Sequence, residues 1–116
     1  MAVSNLTNSE MLARAVTKAV SISATNADYE IAPAKNGMIP IVVSGKLLFS
    51  GAYTLAFEDS DDTALSGTMS FAADGLLEIE LGKDFIKGSS GAALDLNATK
   101  TAGNCVGWLN YIYVPA

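Results

Sequence analysis

The segment Leu77-Glu78-Ile79-Glu80-Leu81 alternates apolar and acidic residues. Successive side chains of an extended strand point to opposite faces, so the pattern places the three apolar side chains on one face and both carboxylates on the other. This alternation is typical of an antiparallel strand with one face on a hydrophobic core and the other in solvent. The segment therefore predicts a sheet whose strands are half buried.

Short apolar segments of this kind recur along the whole chain, separated by Gly, Asp, Asn, Ser and Pro. They predict strands at residues 15–23, 29–32, 38–43, 46–50, 53–58, 64–71, 76–81, 92–97 and 105–114. The pairs Asn36-Gly37 and Asp74-Gly75 are typical of β-hairpin turns. Because no helices separate these strands, we predict an all-β fold: a single antiparallel β-sandwich, jelly-roll-like, over residues 15–116.

Residues 1–14 precede the first predicted strand and are expected to form an N-terminal arm. Apolar residues recur at helical spacing from Met11 to Val20, and Asn8 or Ser9 is a suitable helix N-cap. The same stretch also fits a strand, so we expect at most one helical turn within the arm. The first five residues have neither the basic nor the apolar region of a signal peptide, and none is expected.

The chain has 116 residues, of which 50% are hydrophobic and only 16% charged. An average soluble domain is about 25% charged. A small domain with so few charges commonly covers its apolar surface with another subunit, so we expect an oligomer. The net charge is −5 and the seven basic residues are scattered, which argues against nucleic acid and anionic membranes as partners.

The last predicted strand is apolar on both faces. Its alternation places Val106, Trp108, Ile112 and Val114 on one face and Leu109, Tyr111 and Tyr113 on the other. A central position in the sandwich and a position in a subunit interface both explain this pattern. Trp and Tyr are frequent interface anchors. The candidate interface residues are Trp108, Tyr111 and Tyr113, together with Met11 and Leu12 of the arm.

Residues that carry catalysis are scarce. Histidine is absent, which removes the commonest general base and the Ser-His-Asp and Cys-His arrangements. Cys105 is the only cysteine and has apolar neighbours, so we expect it to be buried and unpaired. Glu78 and Glu80 lie roughly 7 Å apart on one strand face, a separation that glycosidases also use, but a polar outer face is the simpler interpretation. The sequence therefore predicts a non-enzymatic protein without cofactors.

The segment Glu58-Asp59-Ser60-Asp61-Asp62 concentrates carboxylates at the end of a predicted strand. Carboxylate oxygens are the ligands that Ca²⁺ prefers, although the segment lacks the spacing of an EF-hand. Two interpretations stay open. The segment is either a solvated acidic turn or a weak cation site formed by Glu58, Asp59, Asp61 and Asp62.

Three segments resemble a known class of proteins. They are Leu65-x-Gly67-x-Met69-x-Phe71 before Ala72-Ala73-Asp74-Gly75, the segment Gly91-x-Ala93-Leu94-x-Leu96, and a closing Gly107-Trp108-x-x-Tyr111 strand. Over residues 29–114 this pattern resembles small tailed-bacteriophage virion proteins of the capsid decoration (cement) type.

The resemblance implies a homotrimeric β-sandwich on the capsid surface of the virion, assembled in the host cytoplasm. Its partners would be the major capsid protein and other copies of itself, and there are no catalytic residues to transfer. The alternative is a carbohydrate- or host-surface-binding module of a phage tail or fibre, with Trp108 and the tyrosines stacking on sugars. A small enzyme that uses Glu78 or Glu80 is the third interpretation.

Overall fold

The computed structural model describes residues 6–116, and within them β-strands predominate. One short helix, α1 (Asn8–Arg14), comes first. The strands that follow are β1 (Val16–Ile22), β2 (Asn26–Ala32), β3 (Met38–Phe49), β4 (Tyr53–Asp59), β5 (Met69–Phe71), β6 (Gly75–Ile79), β7 (Ile86–Lys87), β8 (Leu94–Lys100) and β9 (Cys105–Pro115). This content confirms the predicted all-β class.

The strands form two antiparallel sheets. Sheet A has the order β1-β9-β3-β6, and the short β7 also pairs with β3; sheet B has the order β2-β8-β4-β5. Apolar side chains of both sheets share one core, which includes Val20, Leu47 and Leu109 of sheet A and Leu55 and Leu96 of sheet B. The chain is therefore a two-sheet β-sandwich.

Most connections carry the chain from one sheet to the other. Gly37, with φ +73°, lies between β2 of sheet B and β3 of sheet A, and Asp74, with φ +65°, lies between β5 of sheet B and β6 of sheet A. Neither connection joins strands that pair with each other. The hairpin interpretation of Asn36-Gly37 and Asp74-Gly75 is therefore wrong, although both pairs do supply the left-handed residue that a tight turn needs.

Strand β3 replaces two predicted strands. The predicted break around Ser44-Gly45 is wrong, because Gly45 pairs with Leu109 of β9 and with Ile79 of β6 inside a continuous strand. The register against β9 shifts between Val42 and Ser44, which marks a β-bulge. The extra residue, Val43, is fully buried.

The predicted strand at 64–71 is largely a loop. Only its last three residues form β5, while the backbone N–H groups of Leu65 and Ser66 both donate to the Phe57 carbonyl at 2.8 and 3.3 Å. The Ser66 hydroxyl in turn accepts a 2.9 Å hydrogen bond from the Phe57 N–H. These side-chain and backbone bonds replace a regular strand ladder. The two-residue strand β7 was not predicted.

Helix α1 starts with a capping box. The Glu10 N–H donates to the Thr7 hydroxyl at 3.1 Å, and the Thr7 N–H donates to the Glu10 carboxylate at 3.3 Å. Thr7 is therefore the N-cap, and the predicted caps Asn8 and Ser9 lie within the helix instead. The helix ends at Arg14, so the apolar residues from Val16 onward belong to β1.

Helix α1 packs on the outer face of sheet A. Met11 is 2% exposed and, with Leu6, joins a second apolar cluster that contains Ile41, Ile112 and Val114. Residues 6–14 of the predicted arm thus lie on the sandwich, while residues 1–5 of that arm lie outside the described residues. No helix within residues 6–116 is long and apolar enough to cross a membrane.

Candidate interaction surface

Within residues 6–116, the outer face of sheet A is covered at one end only. Beyond the part of β3 and β9 that α1 covers, four large apolar side chains face solvent with 43% to 51% of their surface exposed. We call these residues the open patch: Leu48, Leu76, Val106 and Trp108. A contiguous apolar area rimmed by polar residues is typical of a site that binds another molecule.

The register of sheet A places these side chains next to one another. Val106 of β9 pairs with Leu48 of β3, and Leu48 pairs with Leu76 of β6. Trp108 lies two residues along β9 on the same face, opposite Lys46. Because directly opposed side chains in a sheet are roughly 5 Å apart, the open patch is a continuous strip across three strands.

A polar ladder separates the open patch from the cluster under α1. The Thr17 hydroxyl of β1 donates to Asn110 Oδ1 of β9 at 2.6 Å. Asn110 Nδ2 donates in turn to the Ser44 hydroxyl of β3 at 3.0 Å. The ladder satisfies these side chains within the sheet, so it forms an ordered polar boundary.

Charged and polar groups adjoin the Trp108 ring. Lys46 Nζ and the Glu78 carboxylate form a 3.3 Å ion pair in which both side chains are about half exposed. A shallow depression of about 330 Å³ lies here, and its polar lining includes Ser44, Lys46, Glu78, Glu80 and Asn110. The indole is therefore flanked by hydrogen-bonding groups on one side and by the apolar strip on the other.

Two glycines fix the backbone that carries Trp108. Gly45 of β3 has φ +150° and Gly107 of β9 has φ +155°. A Cβ on Gly107 would meet the Lys46 carbonyl, and one on Gly45 would meet the Trp108 carbonyl. The strands β3 and β9 approach each other too closely here for side chains at either glycine, so the position of Trp108 is set by rigid sheet backbone.

The predicted interface residues do not share one surface. Trp108 and Leu12 are exposed, at 43% and 58%. Tyr111 lies in the core between the sheets, and Met11 lies on the side of α1 that packs against sheet A. Tyr113 is partly buried, and its hydroxyl donates a 2.6 Å hydrogen bond to the Pro33 carbonyl. Of the five, only Trp108 belongs to the open patch.

Sequence reasoning did not select Leu48, Leu76 or Val106. A signal for two of them exists in the pairs Leu47-Leu48 and Leu76-Leu77. Since adjacent side chains of a strand face opposite sides, one leucine of each pair must point away from the core. Leu47 is buried and Leu48 is exposed, in keeping with this rule.

The acidic segment is organised around Asp59, which is only 3% exposed. Its carboxylate accepts a 2.7 Å hydrogen bond from the Ser89 hydroxyl and 2.9 Å bonds from the N–H groups of Asp61 and Thr63. These bonds, that from Ser89 foremost, lower the pKa of Asp59. Within residues 6–116 no three acidic or cysteine side chains are grouped to hold a metal ion. The cation site at Glu58, Asp59, Asp61 and Asp62 stays a prediction.

The remaining chemically notable residues have structural partners or are buried. Glu78 pairs with Lys46, and Glu80 lies beyond the end of β6, where it pairs with Lys83 at 3.3 Å. Cys105 is fully buried, and burial raises the pKa of its thiol to about 11. A thiol with such a pKa is almost entirely protonated at neutral pH and therefore a poor nucleophile.

Comparison of the sequence with protein-family models matches no family, and comparison with curated proteins returns no match.

Proposed function

We propose that this protein is a structural component of a bacteriophage virion: a capsid decoration protein that attaches to the head through the open patch. The observation that carries the proposal is the exposed strip of Leu48, Leu76, Val106 and Trp108 on a rigid sheet. Tryptophan is among the residues that most often dominate binding energy at protein interfaces. The major capsid protein is the partner that the sequence resemblance implies.

The binding mechanism depends on preorganisation. The open patch lies on paired strands whose backbone is fixed by Gly45 and Gly107, so little conformational entropy is lost when a partner covers it. Burying the apolar strip supplies the favourable free energy, and the Lys46–Glu78 pair at its edge orients the partner through hydrogen bonds.

We further propose that the sandwich is a jelly roll. The strand orders β1-β9-β3-β6 and β2-β8-β4-β5 support this architecture, because successive strands alternate between a five-stranded and a four-stranded layer through most of the chain. Residues 1–14 form the N-terminal arm in this proposal. Leu12 is exposed on α1, which supports it as the arm residue that contacts a neighbouring subunit.

A homotrimer is the proposed assembly, since three copies on one capsid axis multiply each weak contact. The low charge content supports association between copies. Light scattering on the purified chain tests it: a molar mass about three times that of the chain is expected, and a monomer at every concentration contradicts the trimer.

The attachment surface is tested with Trp108→Ala and a matched control, Phe85→Ala. Phe85 is also an exposed aromatic, at 39%, and lies outside the open patch. Both variants are mixed with heads assembled without this protein, and the bound fraction is measured by co-sedimentation. We expect Trp108→Ala to bind at least about tenfold more weakly than the intact chain and Phe85→Ala to bind normally. Normal binding by Trp108→Ala, with an unchanged melting temperature, rejects the open patch as the attachment surface.

The depression beside Trp108 favours a second candidate function, the binding of carbohydrate on a host surface. Sugar rings stack on exposed indoles while their hydroxyl groups bond to amide and carboxylate side chains. Asn110 Nδ2 donates one of its two N–H groups to Ser44, so its second N–H and the Glu78 carboxylate, both lining the depression, support this function. Glycan-array binding that is lost in both Trp108→Ala and Asn110→Ala, while head binding persists in Asn110→Ala, would support this function.

A further inference from the structure

Three carboxylates lie in one row across sheet B. Asp95 of β8 pairs in register with Glu30 of β2 on one side and with Glu58 of β4 on the other. Leu94 and Leu96, the neighbours of Asp95, belong to the core, so the Asp95 side chain points to the outer face. We call Glu30, Asp95 and Glu58 the acidic row.

The central member of the acidic row is buried. Asp95 is 6% exposed, whereas Glu30 is exposed and Glu58 is partly exposed. Within residues 6–116 no group donates a hydrogen bond to the Asp95 side chain. The ion pairs within these residues, Lys46–Glu78 and Lys83–Glu80, do not involve the acidic row. Burial is the largest cause of the raised pKa of Asp95. The negative charges of nearby carboxylates raise this pKa further, namely those of Glu30, Asp28, Asp59 and Asp62.

This arrangement costs free energy in the isolated chain. Like charges directly opposite each other in a sheet are destabilising. The Asp95 side chain is largely buried without a counter-ion, although its oxygens still reach solvent, so its charge costs more than a fully exposed one. A cationic group bound to the acidic row would reduce both penalties. The row is therefore complementary to a positively charged group rather than to an apolar one.

The geometry of the row favours a guanidinium over a metal ion. The Cβ atoms of directly opposed residues on adjacent strands are roughly 5 Å apart, and among the described residues no three acidic groups converge closely enough to hold a metal. A guanidinium is planar and carries five N–H donors in a fixed fork, so one group can bond to two neighbouring carboxylates.

We propose that the acidic row binds an arginine-bearing segment of a partner protein, with the guanidinium over Asp95 between Glu30 and Glu58. The row lies on sheet B and the open patch on sheet A, so the inference is independent of the proposed function. A chain that uses both faces contacts two neighbours at once, one through apolar surface and one through charge.

The probe for this site is the peptide Gly-Arg-Gly-Arg-Gly, titrated into the full chain by calorimetry at low ionic strength. Asp95→Asn removes the central charge. Glu80→Gln is the matched control, because it removes one negative charge outside sheet B. We expect Asp95→Asn to bind the peptide at least about tenfold more weakly than Glu80→Gln does.

A second measurement separates specific binding from misfolding. Without peptide, Asp95→Asn is expected to melt at a higher temperature than the intact chain, because the buried charge is gone. With peptide, the intact chain should gain more thermal stability than Asp95→Asn. Equal peptide affinity for Asp95→Asn and Glu80→Gln overturns the proposal. So does stoichiometric Ca²⁺ binding that depends on Asp95 and displaces the peptide, which would make the row a metal site.

Discussion

The Ser89 hydroxyl donates a 2.7 Å hydrogen bond to the Asp59 carboxylate, which ties the segment before β8 to the loop after β4. The other carboxylate oxygen accepts 2.9 Å bonds from the N–H groups of Asp61 and Thr63. All three bonds favour the charged form of Asp59, so the pKa of this carboxyl lies below its ordinary value of 3.8. Asp59 is therefore the residue of the acidic segment that holds the loop after β4 in place.

The first prediction is an acid-dependent loss of stability through Asp59. The pKa of Asp59 is lower in the folded chain than in the unfolded chain. Its contribution to folding stability is therefore fully present above the unfolded pKa and is lost as the pH falls through the folded pKa. We expect Asp59→Asn to lower the free energy of unfolding at neutral pH. Below about pH 4, the free energy of unfolding of this variant should fall less steeply with pH than that of the intact chain. Urea unfolding at several pH values measures both effects. Asp61→Asn, in the same loop, is the control, and an unchanged acid decline in Asp59→Asn contradicts the prediction.

Asp95 should behave in the opposite sense. Its pKa is raised in the folded chain, so the charged form opposes folding at neutral pH and protonation removes the penalty as pH falls toward 3.8. We expect Asp95→Asn to raise the free energy of unfolding at neutral pH, with a gain that shrinks on acidification. Glu30 and Glu58 are paired with Asp95 in the sheet, and the charges that raise its pKa, those of Glu30, Asp28, Asp59 and Asp62, are all negative. A variant that is less stable than the intact chain at neutral pH would show that Asp95 has a stabilising partner.

Gly107 is predicted to be the least replaceable glycine of β9 and β3. An added Cβ would meet the Lys46 carbonyl, and φ +155° is a conformation that other residues rarely adopt. We expect Gly107→Ala to cost about 3 kcal/mol or more, because strain and steric overlap act together. Gly67→Ala is the matched control, since nothing lies within 4 Å of its Cβ position, and it should change stability by less than about 1 kcal/mol. Similar losses in the two variants, measured by urea unfolding, would refute the close approach of β3 and β9.

The sequence predicts the class of the fold well because strand alternation is a local property. The two faces of β9 divide as its pattern indicates: Leu109 and Tyr111 lie in the core, and Ile112 and Val114 lie beneath α1. The capping box was also readable, as Thr7 and Glu10 have the required spacing. The continuity of β3 could not be predicted from the sequence, because Ser44-Gly45 resembles a turn until its pairing with β9 is known.

The two interaction surfaces required knowledge of strand order. The open patch combines residues of β3, β6 and β9, and the acidic row combines residues of β2, β4 and β8. Each set comes from strands that are distant in the chain, and nothing local indicates which strands become neighbours. Whether α1 covers all or half of sheet A likewise depends on packing.

Met11 is predicted to anchor α1 to sheet A. Its side chain is 2% exposed and packs with Ile41 and Ile112, whereas Leu12 on the same helix is 58% exposed. We expect Met11→Ala to lower the free energy of unfolding by about 2–5 kcal/mol, because a cavity forms beneath the helix, and Leu12→Ala to lower it by less than about 0.5 kcal/mol. If the helix detaches in Met11→Ala, the apolar cluster becomes exposed and binding of a hydrophobic dye should rise before global unfolding. Equal stability of the two variants would mean that α1 contributes little to the fold, and the whole outer face of sheet A would then be open to a partner.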